Sequence, residues 1–274
     1  DGVYSDCDVA WKAVSTRNAE TCRKCTGKAT EVFSGMGMPA LSLSTFLNQA
    51  ERDSARAWAN SLTPKEMYEA RYLEQPLGQW VISSVHSHFR TDEVDTSIPE
   101  VAEGFRSYLY SGAIALSALY RIFDQVKPDS CFLFNGRMFS QRICLELALQ
   151  LGIPTLVHER GFVENSLSLF ENDHTHSLSP IEEQWPKWRD TPLNAIETAE
   201  TAELLEGRET GALKTWQSKF VKAWQNHAEV SREALMKNLG IGPEKRLIGL
   251  FNSCEDEGAY LAKQRTIIEP KEWI

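Results

Sequence analysis

The sequence predicts an α/β protein: a Rossmann-like parallel sheet with many helices, followed by the first strand of a second domain. Three observations carry this. "DSCFLFNGR" holds a short apolar run, 130–134, that ends in Asn135, Gly136 and Arg137. "MFSQRICLELALQLG" spaces its apolar residues as a helix does and closes on Gly152 just before Pro154. "IPTLVHERG" is a second apolar run, 154–158, stopping at a cluster of polar residues. Strand, helix and strand in that order make a βαβ unit, which implies parallel pairing and a right-handed crossover.

The elements before this unit read as helical. "TCRKCTGKATEVFSGMG" predicts a helix from about Thr21 to Gly35 or Gly37. "MPALSL" reads as a short strand or extended link. In "STFLNQAERDSARAWANSL" the apolar spacing is helical and Ser44 is a candidate N-cap. "TPKEMYEARYLEQPLGQWVISSVHSHFR" continues helical, broken near Pro76 and Gly78. Pro99 suits the first turn of a long helix reaching Val126. After the βαβ unit, residues 180–239 are mostly helical and rich in Trp, Glu and Lys. "RLIGLFNSCEDE" then supplies a further strand, so the domains are expected at 1–240 and 241–274.

Composition narrows the function classes. The 274 residues are 42% hydrophobic and 24% charged, ordinary for a globular protein. A net charge of -9 argues against general affinity for nucleic acid, which needs a basic face. The longest mostly apolar stretch, "SGAIALSALYRIF", falls short of a membrane helix. No signal-peptide pattern is visible, although the chain opens on Asp1 rather than methionine. Six unevenly spaced cysteines do not form a secreted disulfide framework, so a reducing cytoplasm is expected.

Candidate sites cluster at strand ends. Open α/β sheets bind ligands beyond the carboxyl ends of their strands, and there the chain places Asn135, Gly136 and Arg137, then His158, Glu159, Arg160 and Gly161. Adjacent His158 and Glu159 point to opposite sides of an extended strand, so only one is expected to enter a cleft. Arg160 is suited to a bidentate contact with a phosphate or acidic sugar. Gly161 permits a positive φ or a close ligand approach. Asn165 and Ser166, just beyond, extend the candidate site. The plain alternatives are an ion-paired strand end for His158 to Gly161 and an ordinary turn for Asn135-Gly136. Cys22 and Cys25 form C-x2-C with Cys7 upstream, which suggests a structural zinc. The fourth ligand would be Cys131, Cys144, a histidine or a residue before Asp1. Reduced buried thiols are the alternative. His86, His88, His174 and His176 lack the spacing of a helical zinc pair and read as surface or cleft-edge residues. Trp185, Trp188, Trp216 and Trp224 read as packing residues. No "GxxxxGK[ST]" or "GxGxxG" occurs.

The stretch "LFNGRMFSQRICLELALQLGIPTLVHERGFVENSLSLFEN" resembles the N-terminal domain of bacterial capsule and surface-polysaccharide glycosyltransferases of the GT-B layout. "CRKCTGKATEVFSGMGMPALSL" and "LIGLFNSCEDE" are similar to further parts of those proteins. The resemblance implies an acceptor-side domain, a nucleotide-sugar donor, a glycan or lipid-linked acceptor and no organic cofactor. It also implies work in the cytoplasm, at the inner face of the inner membrane. Inverting transfer needs a general base, for which Glu159 or His158 is the candidate. On the donor side the resemblance points to Asn252 and Ser253 as ligand contacts and to Glu255 as an acid or base. An acidic N-cap segment is the alternative there. A carbohydrate-binding or scaffolding domain without catalysis is the second reading of the whole chain. Donor identity, stereochemistry and oligomeric state are not legible in the residues.

Overall fold

The computed structural model describes residues 19–91, 93–177, 179–210, 212, 214–215 and 231–246. Among these the chain is α/β, with eight α-helices and one three-stranded sheet. It divides into two compact units. The first holds 19–158 and Leu169–His176, the second Glu159–Ser168 and 177–246. The expected junction near 240 borders residues 247–274, which lie outside the described residues, together with the strand expected there.

In the first unit, α1 (Ala19–Gly35) is followed by an extended link and a 3-10 turn at Leu43–Phe46. Helix α2 (Gln49–Ser61) starts later than Ser44. Its N-cap is Asn48, whose side chain accepts the Glu51 N–H at 2.9 Å, while the Glu51 carboxylate accepts the Asn48 N–H at 2.9 Å. Two otherwise orphaned donors are satisfied at once. Ser44 has Leu47 three residues on and no such partner. The expected continuous helix after Thr63 is also corrected. Only a short 3-10 turn, Pro64–Glu66, forms. Leu73 and Glu74 then take positive φ, 47° and 62°, which no right-handed helix accommodates.

Helix α3 (Leu77–Phe89) and helix α4 (Pro99–Val126) build the core. Pro99 opens α4 at its first turn, where its missing N–H costs nothing. Along α4, Phe105, Leu109, Ile114 and Leu116 are fully buried. They face α2, α3 and α5 (Phe139–Gln150). His86 is 7% exposed and its Nδ1 lies 3.0 Å from the Thr91 carbonyl oxygen. His88 Nδ1 lies 3.1 Å from the Tyr108 hydroxyl. Both are tied into packing rather than lying on the surface.

Strand β1 (Cys131–Phe134) pairs in parallel with β2 (Thr155–Arg160), in register from Cys131↔Thr155 to Phe134↔His158. Helix α5 joins them and packs on β1. The parallel βαβ unit therefore stands as the spacing predicts. The segment after β2 departs from that expectation. The strand runs on to Arg160, so His158, Glu159 and Arg160 belong to it rather than to a loop beyond it. The chain then returns as β3 (Leu167–Glu171). Asn172 N–H bonds to the Thr155 oxygen at 2.8 Å, and Gly161 N–H to the Ser166 oxygen at 2.9 Å. These two bonds define an antiparallel hairpin, and the sheet is mixed. One face buries Thr155 and Val157, and the other leaves Phe132 and Phe134 exposed.

The second unit has helices α6 (Ser179–Trp188), α7 (Ala195–Thr210) and α8 (Arg232–Asn238). Val163 bridges Thr215 antiparallel, and Glu164 N–H bonds to the Lys214 oxygen at 2.8 Å. Met236 is its buried apolar residue among those described. Trp185 and Trp188 are exposed, at 62% and 63%, rather than packed. Trp216 and Trp224 lie outside the described residues.

Candidate functional site

The end of β1 shows how the sequence makes its turn. Asn135 has φ 62° and Gly136 φ 70°. Two consecutive left-handed residues suit Asn and Gly, which bear that conformation at least cost. Gly136 is further constrained, because a Cβ there would lie 3.3 Å from both Cα and Cβ of His174. Asn135 is 8% exposed. Its N–H bonds to the His158 oxygen at 2.8 Å. Its own carbonyl oxygen accepts the Thr175 N–H and hydroxyl, each at 3.1 Å. Its side-chain oxygen accepts the Arg137 N–H at 3.2 Å. These bonds make Asn135 the residue that shapes the turn ahead of Arg137.

Arg137 is half-buried, and its Nη2 donates to Ser87 Oγ at 3.2 Å. The next helix, α5, lacks a side-chain cap of its own, since Met138 stands at the N-cap. Ser84 of α3 supplies the acceptor instead, taking the Phe139 N–H at 2.9 Å. One turn into α5, Arg142 pairs with Glu146. His174, just beyond β3, completes the group.

His174 is mostly buried, and its pKa is held below the usual imidazole value. Burial is the main cause, and the guanidiniums of Arg142 and Arg137 add to it. Asp173 opposes them, but its carboxylate stands 3.9 Å from Nε2 and is engaged by the His174 backbone N–H at 2.8 Å. Burial therefore outweighs the nearby carboxylate, and the ring is neutral at pH 7. His174 Nδ1 accepts the His176 N–H at 3.3 Å, which leaves the proton on Nε2. A lowered folded pKa means that the unfolded chain binds the extra proton first. The stabilisation is present above the ordinary histidine value of 6.5 and is lost as pH falls toward the folded pKa. Urea midpoints measured from neutral pH downward are expected to fall less steeply in His174→Asn than in the parent chain. Parallel curves would show that His174 does not carry this pH dependence.

His158 and Glu159 point to opposite sides of β2, as alternation requires. The His158 ring stacks on Phe132, with centroids 4.5 Å apart and planes 11° apart, and tilts against Phe134 at 5.5 Å. It is a packing residue of the exposed sheet face. Glu159 is half-exposed and its Oε1 accepts the Arg160 N–H at 2.8 Å. Arg160 is exposed. The four residues expected around one concavity fall in two bodies: His158 and Asn135 in the first unit, Glu159 and Arg160 in the second. Gly161 does not have positive φ. It is needed because Ser166 crowds it, with the Ser166 carbonyl carbon 2.9 Å from where a Cβ would be. Asn165 adopts φ 61° and Ser166 N–H bonds to the Val163 oxygen at 3.2 Å. All three therefore build the hairpin turn.

Asn252, Ser253, Glu255 and Cys7 lie outside the described residues, as do the side chains of Cys22 and Cys25, although α1 carries the latter two. Among the described residues no group of three or more His, Cys, Asp or Glu is placed to hold a metal. No described helix is long and apolar enough to cross a membrane. Arg142, Ser84 and Ser87 carry no signal in the sequence, and His174, expected at the surface or a cleft edge, is mostly buried. Arg142 follows Arg137 by five residues, a spacing that marks nothing by itself. His174 and Ser87 arrive from distant elements, with no local signal. Comparison with protein-family models, with curated proteins and with solved structures finds no match.

Proposed function

We propose that this chain is the acceptor-side part of a glycosyltransferase of bacterial surface-polysaccharide assembly, with its first unit the core of a Rossmann-like domain. One observation carries the reading: Arg137, Arg142 and a neutral His174 gather where β1 ends in a parallel βαβ unit. Ligands of open α/β sheets bind beyond such ends. Two guanidiniums and an Nε2–H donor suit a polyhydroxylated, acidic or phosphorylated acceptor. In the transfer, an acceptor hydroxyl oxygen bonds to the anomeric carbon of a nucleotide sugar. The bond from that carbon to the nucleotide phosphate breaks, and the nucleotide leaves. In this reading the group that takes the hydroxyl proton is Glu159, on the resemblance alone. No organic cofactor is required by this chemistry. Asn252, Ser253 and Glu255 belong to the donor side in this reading, and a zinc on Cys7, Cys22 and Cys25 is purely structural. Work at the cytoplasmic face of the inner membrane, on a glycan or lipid-linked acceptor, accords with the resemblance to capsule enzymes.

The test incubates the protein with UDP-, GDP- and CMP-linked sugars and bacterial oligosaccharide or lipid-linked acceptors, and measures nucleotide release chromatographically. Acceptor-dependent release from at least one donor is expected, with a weaker response to acceptor in Arg137→Ala. Saturable polysaccharide binding without release from any donor would replace the enzyme with a non-catalytic carbohydrate-binding domain.

A further inference from the structure

Helix α1 stands apart from the core. Among the described residues, the helices that pack on one another are α2, α3, α4 and α5, and no buried core residue comes from α1. Yet α1 is amphipathic. Cys22, Cys25, Ala29, Val32 and Met36 follow one another at steps of three, four, three and four. That spacing sets them on one face of a helix, and Phe33 widens it. Glu20, Arg23, Lys24, Lys28 and Glu31 occupy the other side, where Lys24 pairs with Glu20 at 2.8 Å. The apolar end of the face is held by a tight closure. Gly37 has φ 70°, its N–H bonds to the Ser34 oxygen at 3.0 Å, and the Met38 N–H bonds to the Phe33 oxygen at 2.9 Å. We propose that α1 is a dimerisation helix, which pairs with α1 of a second copy of this chain through the face of Ala29, Val32, Phe33 and Met36.

The spacing names the kind of partner. Alternating steps of three and four average 3.5 residues, the repeat with which one helix meets another along a seam. A single patch then serves both copies about a two-fold axis. The area is sufficient. Val32, Phe33, Met36, Met38 and Leu41 are each 43–66% exposed. They offer roughly 500 Å² per copy, so two copies cover about 1,000 Å², the size a specific interface has to reach. A lipid surface fits less well. The polar side of α1 mixes Arg23, Lys24 and Lys28 with Glu20 and Glu31, which leaves little excess positive charge for anionic headgroups. This pairing is independent of the proposed glycosyl transfer.

Sedimentation equilibrium of the full chain, run from low to high micromolar concentration, is the test. A reversible monomer–dimer equilibrium is expected. Val32→Asp and Met36→Asp each place a charge on the paired face and are expected to raise the dissociation constant about 100-fold or more. Glu31→Lys, on the other side of the helix, is expected to leave it within a few-fold. Because α1 lies outside the core, the monomer's urea midpoint is expected to be the same in all three variants. A chain that stays monomeric throughout, or a dimer that survives both Asp substitutions, would overturn the proposal. So would a lowered midpoint in the Asp variants, which would make the face part of the monomer's own fold. Dimerisation gained only on removal of residues 1–18, or monomers that bind phosphatidylglycerol vesicles through Val32 and Met36, would likewise give the face a different occupant and end the proposal.

Discussion

Replacing Glu159 by Gln is expected to lower turnover about 100-fold while leaving the melting temperature unchanged. The substitution keeps the length and shape of the side chain. Its amide oxygen still accepts the Arg160 N–H that Glu159 Oε1 accepts at 2.8 Å. What it removes is the capacity to take a proton from an attacking hydroxyl. His158→Ala provides the contrast. The imidazole lies flat on Phe132, so truncation removes an aromatic contact from the sheet surface. That variant is expected to melt lower and to retain turnover within a few-fold. Both variants are read by initial rates at saturating donor and by thermal melts. Unchanged turnover in Glu159→Gln with a lower melting temperature would make Glu159 a structural residue and remove it as the base.

Gly78→Ala is expected to cost about 3 kcal/mol of stability, near the upper end of ordinary overpacking. Gly78 opens α3 beneath the preceding turn, and its N–H bonds to the Ala70 oxygen at 3.0 Å. A methyl there meets the carbonyl oxygens of Met67 and Tyr68, with the Tyr68 carbonyl carbon 2.7 Å away. These are backbone atoms, so no rotamer change clears them. Met67 is fully buried, and moving it disturbs the core. Gly112→Ala, in the middle of α4, is the comparison. There the nearest atoms are side-chain methyls, Val81 Cγ1 at 2.9 Å and Leu77 Cδ1 at 3.2 Å. Side chains yield by small rotations, and a cost of about 1 kcal/mol is expected. Urea midpoints of the two variants decide the matter. A Gly78 variant as stable as the Gly112 one would show that the turn ahead of α3 shifts freely.

Elements with local signals were legible in the chain. Pro99 and the apolar stripe after it mark α4 from its first residue to its last. The apolar run before Asn135-Gly136, and the helical spacing up to Gly152, mark β1 and α5. Asn135 and Gly136 were legible as a turn because few residues accept φ above zero. The purpose of that turn emerges from packing alone. Short apolar alternation in "ENSLSLFEN" fits a strand in either direction, so the hairpin after β2 was not legible; its bonds join residues as far apart as Thr155 and Asn172. Ser44 was the N-cap candidate in the sequence, whereas the reciprocal bond with Glu51 sets the cap at Asn48. The face on which His158 lies depended on pairing register with β1. Arg137, Arg142 and His174 are three ordinary residues in the chain, and their convergence has no local mark. The physical reason is range: caps, turns and periodicity act over a few residues. A charge cluster forms only when packing spends chain entropy to bring distant segments together.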